Sequence, residues 1–88
     1  MKNKIKELFR LAMKAQEKTS AYVAFETSNS GTECLIMIMD DGFEMNHGYD
    51  GWYEMAMFYP DERSDKEYQK AQEHLIRLLR GKRKAVTA

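Results

Sequence analysis

The sequence contains a single cysteine, a single proline and five glycines among its 88 residues. One cysteine excludes an internal disulfide, so an apolar core has to hold the fold, and a lone thiol is typical of a reducing compartment. No apolar run is long enough for a membrane span, and the N-terminus lacks the pattern of a signal peptide. These absences predict one small cytoplasmic domain over residues 1–81, followed by a flexible basic tail at 82–88.

Positive charge is missing from the middle of the chain. Between Thr19 and Glu62 there is no lysine or arginine, whereas the same stretch holds nine carboxylates. The segment before it carries a balance of +4 and the segment after it +5, so the net charge of zero hides a basic–acidic–basic division. Such segregation predicts a negative surface that steers the molecule toward a basic partner.

Apolar spacing predicts a helix at each end of the chain. Ile5, Leu8, Phe9 and Ala12 follow the spacing of one buried helical face in a lysine-rich first helix. The segment Ser64–Glu67 reads as a capping box that begins the second helix, and Gly81 is a typical residue for its end. The second helix then carries an apolar stripe: Tyr68, Ala71, Leu75, Leu78 and Leu79.

Three strands are predicted between the helices. Apolar and polar residues alternate over 21–26, and Cys34 to Met39 is a strongly apolar run that ends at Asp40-Asp41-Gly42, a hairpin signal. A third, broken ribbon follows from Phe43 to Tyr59, with Trp52 to Tyr59 as its better-formed part. The predicted fold class is therefore α+β: a two-layer α-β-β-β-α domain with an antiparallel three-stranded meander.

Two arrangements of the helices remain open. In the first, both helices pack on the sheet face that carries Val23 and Ile36, so that Leu35, Met37 and Met39 face outward on the other side. In the second, the helices lie on opposite faces and the central strand is buried twice. We expect the first arrangement, because short connections favour flanking helices on the same side.

Sequence motifs for catalysis and for metal binding are lacking. There is no phosphate-binding loop and no serine elbow, and the segment that begins at Asn46 fails as a calcium loop because its third residue is Gly48. Acids near His47 have no fixed spacing. Cys34 opens an apolar strand, as a small buried hydrophobic residue does, and His74 lies at the boundary of a helical stripe. We therefore predict no enzymatic activity, no catalytic residues, no metal and no cofactor.

The sequence points instead to a protein-binding surface in the acidic middle of the chain. Aromatic and methionine side chains there suit an interface, since aromatics dominate binding energy and methionines adapt to several shapes. Self-association through Leu35, Met37 and Met39 is a variant of this hypothesis, and imitation of DNA by the carboxylates is another. The predicted protein-binding residues are Tyr22, Leu35, Met37, Met39, Asp40, Asp41, Glu44, Tyr49, Asp50, Trp52 and Glu54.

The alternative function is that of a small nucleic-acid-binding regulator. It would use a basic cluster at the end of the second helix and in the tail, and its binding would depend strongly on salt. Aromatic residues that would stack on bases lie in the acidic middle and not beside these cations, which makes direct nucleic-acid binding the weaker hypothesis. The residues concerned are Arg77, Arg80, Lys82, Arg83 and Lys84.

The segments "KIKELFRLAMKA", "YVAFE", "CLIMIMDDGFE" and "YDGWYE" together resemble small proteins of phages and integrative elements in Gram-positive bacteria. The resemblance covers most of the chain and is one of pattern. Some small phage inhibitors of bacterial CRISPR nucleases are similar in their helix–three strands–helix layout and their acidic, DNA-imitating surface. The resemblance implies an interaction protein of a mobile element whose partner is a host nucleic-acid-binding protein, and no functional residue carries over from it.

Overall fold

The computed structural model describes residues 2–28, 33–56 and 62–81. Its elements are α1 (Lys2–Lys18), β1 (Tyr22–Ser28), β2 (Glu33–Met39), β3 (Gly51–Ala56) and α2 (Glu62–Gly81). The strands form one antiparallel sheet in the order β1-β2-β3. The predicted α+β class and the meander are confirmed.

The first helix buries most of the predicted face, and Thr19 follows its last residue, Lys18. Phe9, which the spacing assigned to the buried face, is 45% exposed, so the prediction is wrong at this residue. Ile5, Leu8 and Ala12 lie in the core, as their spacing predicts. At the end of α1, the Thr19 hydroxyl donates to the Ala15 carbonyl at 2.6 Å and accepts from the Ala21 amide at 3.0 Å. Thr19 therefore satisfies polar groups on both sides of the chain reversal while it is itself buried.

Both helices cover the same face of the sheet. The first helix packs on β1 and on α2, and α2 also packs on β3. The core contains Val23, Ile36 and Met55, which alternate along the strands with residues of the opposite face. The first of the two predicted arrangements is the one that the structure adopts.

The second helix begins earlier than the capping box predicts. It starts at Glu62, so Ser64 lies in its first turn and is not the N-cap residue. The Ser64 hydroxyl is buried and accepts a hydrogen bond from the Ala56 amide at 2.9 Å. The capping-box prediction is wrong because this serine is recruited by the neighbouring strand β3, a contact that local sequence spacing does not encode.

The connection between β2 and β3 is a long loop from Asp40 to Asp50, and not the tight hairpin that Asp40-Asp41-Gly42 predicts. Gly42 has a φ of 105° and donates to the Met39 carbonyl at 3.2 Å, so a turn does form there. The chain then continues without strand structure until β3. The predicted strand end at Tyr59 and the tail at 82–88 lie outside the described residues. No helix in the described ranges combines the length and apolar character that a membrane crossing requires.

Candidate interaction surface

The sheet has a second face that neither helix covers, and we call it the outer sheet face. Its residues alternate along each strand with those of the core, as strand geometry requires. The outer sheet face consists of Tyr22, Ala24, Glu26, Glu33, Leu35, Met37, Met39, Trp52, Glu54 and Ala56.

Strand pairing arranges this face in rows across the sheet. One row is apolar and runs from Ala24 through Met37 to Trp52. The next row places Leu35 between the carboxylates of Glu26 and Glu54. The outer sheet face is thus apolar toward the Asp40–Asp50 loop and acidic toward the other end.

The methionines of β2 are less accessible than the sequence predicts. Met37 and Met39 lie on the expected face, but only 8% of Met37 and 3% of Met39 is exposed. Met37 is shielded because it stands on the central strand between cross-strand neighbours. Met39 is covered by the loop, whose Glu44 amide donates to its sulfur at 3.4 Å. The expectation that Leu35, Met37 and Met39 form a bare aliphatic face is therefore wrong: Met37 and Met39 are buried, and Leu35 is half-buried.

Aromatic side chains form the accessible part of this surface. Tyr22 contacts Phe43 edge to face with ring centroids 5.2 Å apart, and Tyr49 contacts Trp52 at 5.5 Å. Phe43, Tyr49 and Trp52 are all exposed, with 49% of Trp52 accessible. Phe43 and its exposed neighbour Met45 were missed at the sequence level, because alternation assigned both to a strand. The Asp41–Gly42 turn just before Phe43 is the one signal that could have placed it in a loop beside the sheet.

Only part of the predicted acidic set faces the same way. Glu54 lies on the outer sheet face and accepts from the Trp52 indole nitrogen at 2.9 Å. Asp50 is used to hold the loop, since its carboxylate accepts from the Asp40 amide at 2.7 Å. Asp41 and Glu44 lie exposed in the loop. Asp40 does not belong to the surface, because its carboxylate is directed at α2.

The Asp40 carboxylate, the His74 imidazole and the Tyr53 hydroxyl form a partly buried series of hydrogen bonds, which we call the relay. The Nε2 atom of His74 lies 2.7 Å from Oδ1 of Asp40, and its Nδ1 atom lies 2.8 Å from the Tyr53 hydroxyl. An ionised carboxylate can only accept, so Nε2 carries the proton, and in the neutral imidazole Nδ1 accepts from Tyr53. The sequence had placed His74 at the boundary of the apolar stripe of the second helix, whereas its side chain is buried, with 3% exposed.

The close packing of the relay depends on a glycine, Gly51. A Cβ atom on Gly51 would lie 2.6 Å from the Nδ1 atom of His74 and 2.7 Å from the ring of Tyr53. Both contacts are shorter than van der Waals separation, so only glycine lets the imidazole approach β3 this closely. Gly51 is therefore a packing residue, in addition to marking the start of the strand.

A hydroxyl, an imidazole and a carboxylate in this order resemble the groups of a nucleophilic triad, with a tyrosine phenol in the place of the nucleophile. Burial raises the pKa of Tyr53, and the charges of Glu67 and Asp40 raise it further while that of Arg77 lowers it. A raised pKa keeps the phenol neutral, which is the opposite of nucleophile activation. The relay connects α2, β3 and the loop from Asp40 to Asp50. In the described part of the molecule, every buried side-chain nitrogen or oxygen has a partner.

The remaining chemically reactive side chains do not converge. Cys34 is buried, and the burial raises its thiol pKa from the ordinary value of 9.0 to about 12, so the thiol stays protonated. His47 is exposed in the loop. Among the residues that the structure describes, no three histidine, cysteine or acidic side chains are grouped as a metal would require.

The basic cluster of the alternative hypothesis is described only in part. Arg77 and Arg80 line a shallow depression on α2 together with Glu73 and Ile76. A turn or more earlier on the same helix, Lys70 pairs with Glu67 at 3.6 Å. The described surface of α2 is thus mixed in charge, and Lys82, Arg83 and Lys84 lie outside the described residues.

Comparison of the sequence with protein-family models and with curated proteins, and of the fold with solved structures, finds no match. The candidate surface is therefore interpreted from its own geometry.

Proposed function

We propose that this chain is a non-enzymatic protein-binding module that docks a basic protein partner on the outer sheet face. The observation that carries the proposal is the composition of that face. Exposed aromatic rings lie beside carboxylates, and the sequence from Thr19 to Glu62 contributes no cation to either.

The aromatic rings supply the binding energy in this proposal. Trp52 and Tyr49 form a pair of exposed rings, and Phe43 extends the apolar area toward Tyr22. Tryptophan and tyrosine at the centre of an interface typically contribute most of its affinity. Because Trp52 already donates to Glu54, its indole is held in one orientation, so less conformational entropy is lost when a partner binds.

The carboxylates determine the kind of partner. Glu26 and Glu54 flank Leu35, and Glu33 lies in the adjacent row of the sheet. A negative field around an apolar centre accelerates association with a positive surface and disfavours acidic competitors. A positive groove of this kind is found on proteins that bind nucleic acid, so we propose a host nucleic-acid-binding protein as partner and imitation of DNA as the mode of binding. The mobile-element resemblance agrees with this role. A buried, unpaired Cys34 agrees with a cytoplasmic setting.

The test compares a surface variant with a matched control. The double variant Trp52→Ala/Tyr49→Ala removes the exposed ring pair, whereas Gln69→Ala truncates an exposed side chain of α2 on the helical side of the molecule. Proteins captured from a bacterial lysate on immobilised wild-type chain should be lost with the double variant and retained with Gln69→Ala. Equal capture by all three chains would refute the proposal.

A purified partner permits a direct measurement. Trp52 is the single tryptophan of the chain, so its emission should shift to shorter wavelength when the partner covers it. Affinity should fall as salt rises, and a DNA duplex should compete with the chain for the partner. Binding without competition would retain the protein-binding module and reject DNA imitation.

The alternative, a nucleic-acid-binding regulator, is tested separately. If the basic cluster contacts phosphates, removal of residues 82–88 together with Arg77→Ala should weaken binding to a labelled duplex and reduce its salt dependence. Failure of the wild-type chain to bind a duplex at low salt would reject this alternative. The mixed charge of the described α2 surface makes this the weaker candidate.

A further inference from the structure

The outer edge of β1 is an open sheet edge. The Val23 amide points away from β2 and donates to the side chain of Gln16 at 3.1 Å. Because alternate amides of an edge strand share a direction, the amides of Phe25 and Thr27 point outward as well. Within the described residues neither is bonded on that side. Such an edge is a template for pairing with another strand.

The other sheet edge differs in the group that caps it, although the amides of Trp52 and Glu54 also point outward there. On β3 the Ala56 amide is capped by the Ser64 hydroxyl, which belongs to the first turn of α2 and is itself buried. On β1 the cap is a single exposed glutamine, which can turn away at little cost. An additional strand therefore meets the more easily displaced cap at β1.

Apolar side chains stand directly beside this open edge. On α1, Phe9 and Met13 are one turn apart and are 45% and 48% exposed. Phe9 contacts Phe25 of β1 edge to face, with ring centroids 5.0 Å apart. The exposed backbone edge and the exposed apolar pair thus form one continuous surface, which we call the β1 edge surface (Phe9, Met13, Val23, Phe25 and Thr27).

The charges around this surface are self-complementary. Lys6, Phe9, Met13 and Glu17 follow each other at three- and four-residue spacing, so they form one row along α1. The row reads cation, apolar, apolar, anion. Two such helices can lie antiparallel with Phe9 of one copy beside Met13 of the other. Lys6 of each copy then faces Glu17 of the second copy, with an offset along the helix axis of about one residue, or about 1.5 Å. Neither Lys6 nor Glu17 forms an ion pair in the described part of its own chain.

We propose that a second copy of this chain occupies the β1 edge surface. The two copies pair their β1 strands in antiparallel fashion about a two-fold axis, which creates a six-stranded sheet with α1 packed against α1. A two-fold interface requires a patch that complements itself, and the charge row of α1 meets this requirement. This dimer differs from self-association through Leu35, Met37 and Met39, two of which are buried. It is independent of the proposed partner site, because that site lies on the outer sheet face.

The decisive experiment exchanges the charges of the row. Lys6→Glu alone brings like charges together at both ends of the helix pair, and so does Glu17→Lys alone. Each variant should dissociate at least about tenfold more readily than the wild type in analytical ultracentrifugation. An equimolar mixture of the two variants restores both ion pairs, so the mixture should form heterodimers of near wild-type affinity.

Controls separate this interface from other causes. Lys14→Glu makes the same charge change at an exposed position of α1 outside the row, and it should leave association unchanged. Phe9→Glu should abolish dimers, with circular dichroism showing that the chain remains folded. A wild-type chain that stays monomeric up to millimolar concentration would overturn the proposal. So would a mixture that associates no better than either charge variant alone, and in that case the occupant of the edge is a foreign strand.

Discussion

Replacement of His74 by alanine should destabilise the protein strongly, because this side chain connects three elements of the fold. The variant loses a hydrogen bond to the Asp40 carboxylate and one to the Tyr53 hydroxyl. A hydrogen bond to a charged group contributes about 1.5–3 kcal/mol and a neutral one about 0.5–1.5 kcal/mol. The Asp40 side chain is 24% exposed, so water recovers part of the loss. We expect a decrease of about 2–4 kcal/mol in the free energy of unfolding.

This decrease is large relative to the whole stability of a small domain, which is typically about 5–15 kcal/mol. At about 4–8 °C per kcal/mol for a domain of this size, the melting temperature should fall by roughly 10–30 °C. Urea unfolding followed by circular dichroism and by Trp52 fluorescence measures the change. The matched control is His47→Ala, the other histidine, which is exposed and should shift stability by no more than about 0.5 kcal/mol.

A double-mutant cycle tests the proposed reason for the effect. Tyr53→Phe alone should lower the free energy of unfolding by about 0.5–1.5 kcal/mol. The same substitution should change it by almost nothing when His74 is already alanine, because the hydrogen bond is then absent. Nitrogen NMR shifts should show a proton on the Nε2 atom of His74. A loss of stability in His74→Ala no greater than in His47→Ala, or additive effects of the two relay mutations, would refute the assignment of the relay as a tie between α2, β3 and the loop.

Three further predictions concern the packing or burial of single residues: Gly51, Cys34 and Met37. Gly51→Ala should lower the free energy of unfolding, measured by thermal denaturation, by about 1–3 kcal/mol, because the new Cβ would lie 2.6 Å from the buried imidazole. Gly48→Ala, at a position with open space around it, should be near neutral. Equal effects of the two variants would contradict this packing. The Cys34 thiol should resist alkylation at pH 8 until urea unfolds the chain. The folded-state pKa of Cys34 lies near 12 and the ordinary value is 9.0, so the free energy of unfolding should decline as pH rises through this interval. The decline should be smaller in Cys34→Ala. If Cys34→Ala leaves the pH dependence of stability unchanged, the decline belongs to other groups. Met37→Lys should lower the free energy of unfolding, measured in urea, by about 2 kcal/mol or more, and Leu35→Lys should lower it by less, because Met37 is the more buried. The reverse order would show that Met37 is accessible in solution.

The sequence alone was sufficient for the order of elements and for the two faces of the sheet. The helical spacing of Ile5, Leu8 and Ala12 and the alternation along 21–26 are local patterns, set by the geometry of one helix or one strand. The absence of lysine and arginine between Thr19 and Glu62 is likewise readable without coordinates. Where the sequence failed locally, at Ser64, the residue had been recruited by a strand eight positions earlier.

The tertiary structure decided which side chains are accessible and which are paired. Asp40 and His74 are 34 positions apart, and no periodic pattern links them, so their contact exists only because α2 lies across the end of the sheet. Met37 and Met39 are buried because cross-strand neighbours and the loop from Asp40 to Asp50 close over them, and that loop's path depends on bonds to Asp50 and to Met39. Periodicity assigns a residue to a face of its own helix or strand, whereas burial depends on what the rest of the chain places over that face.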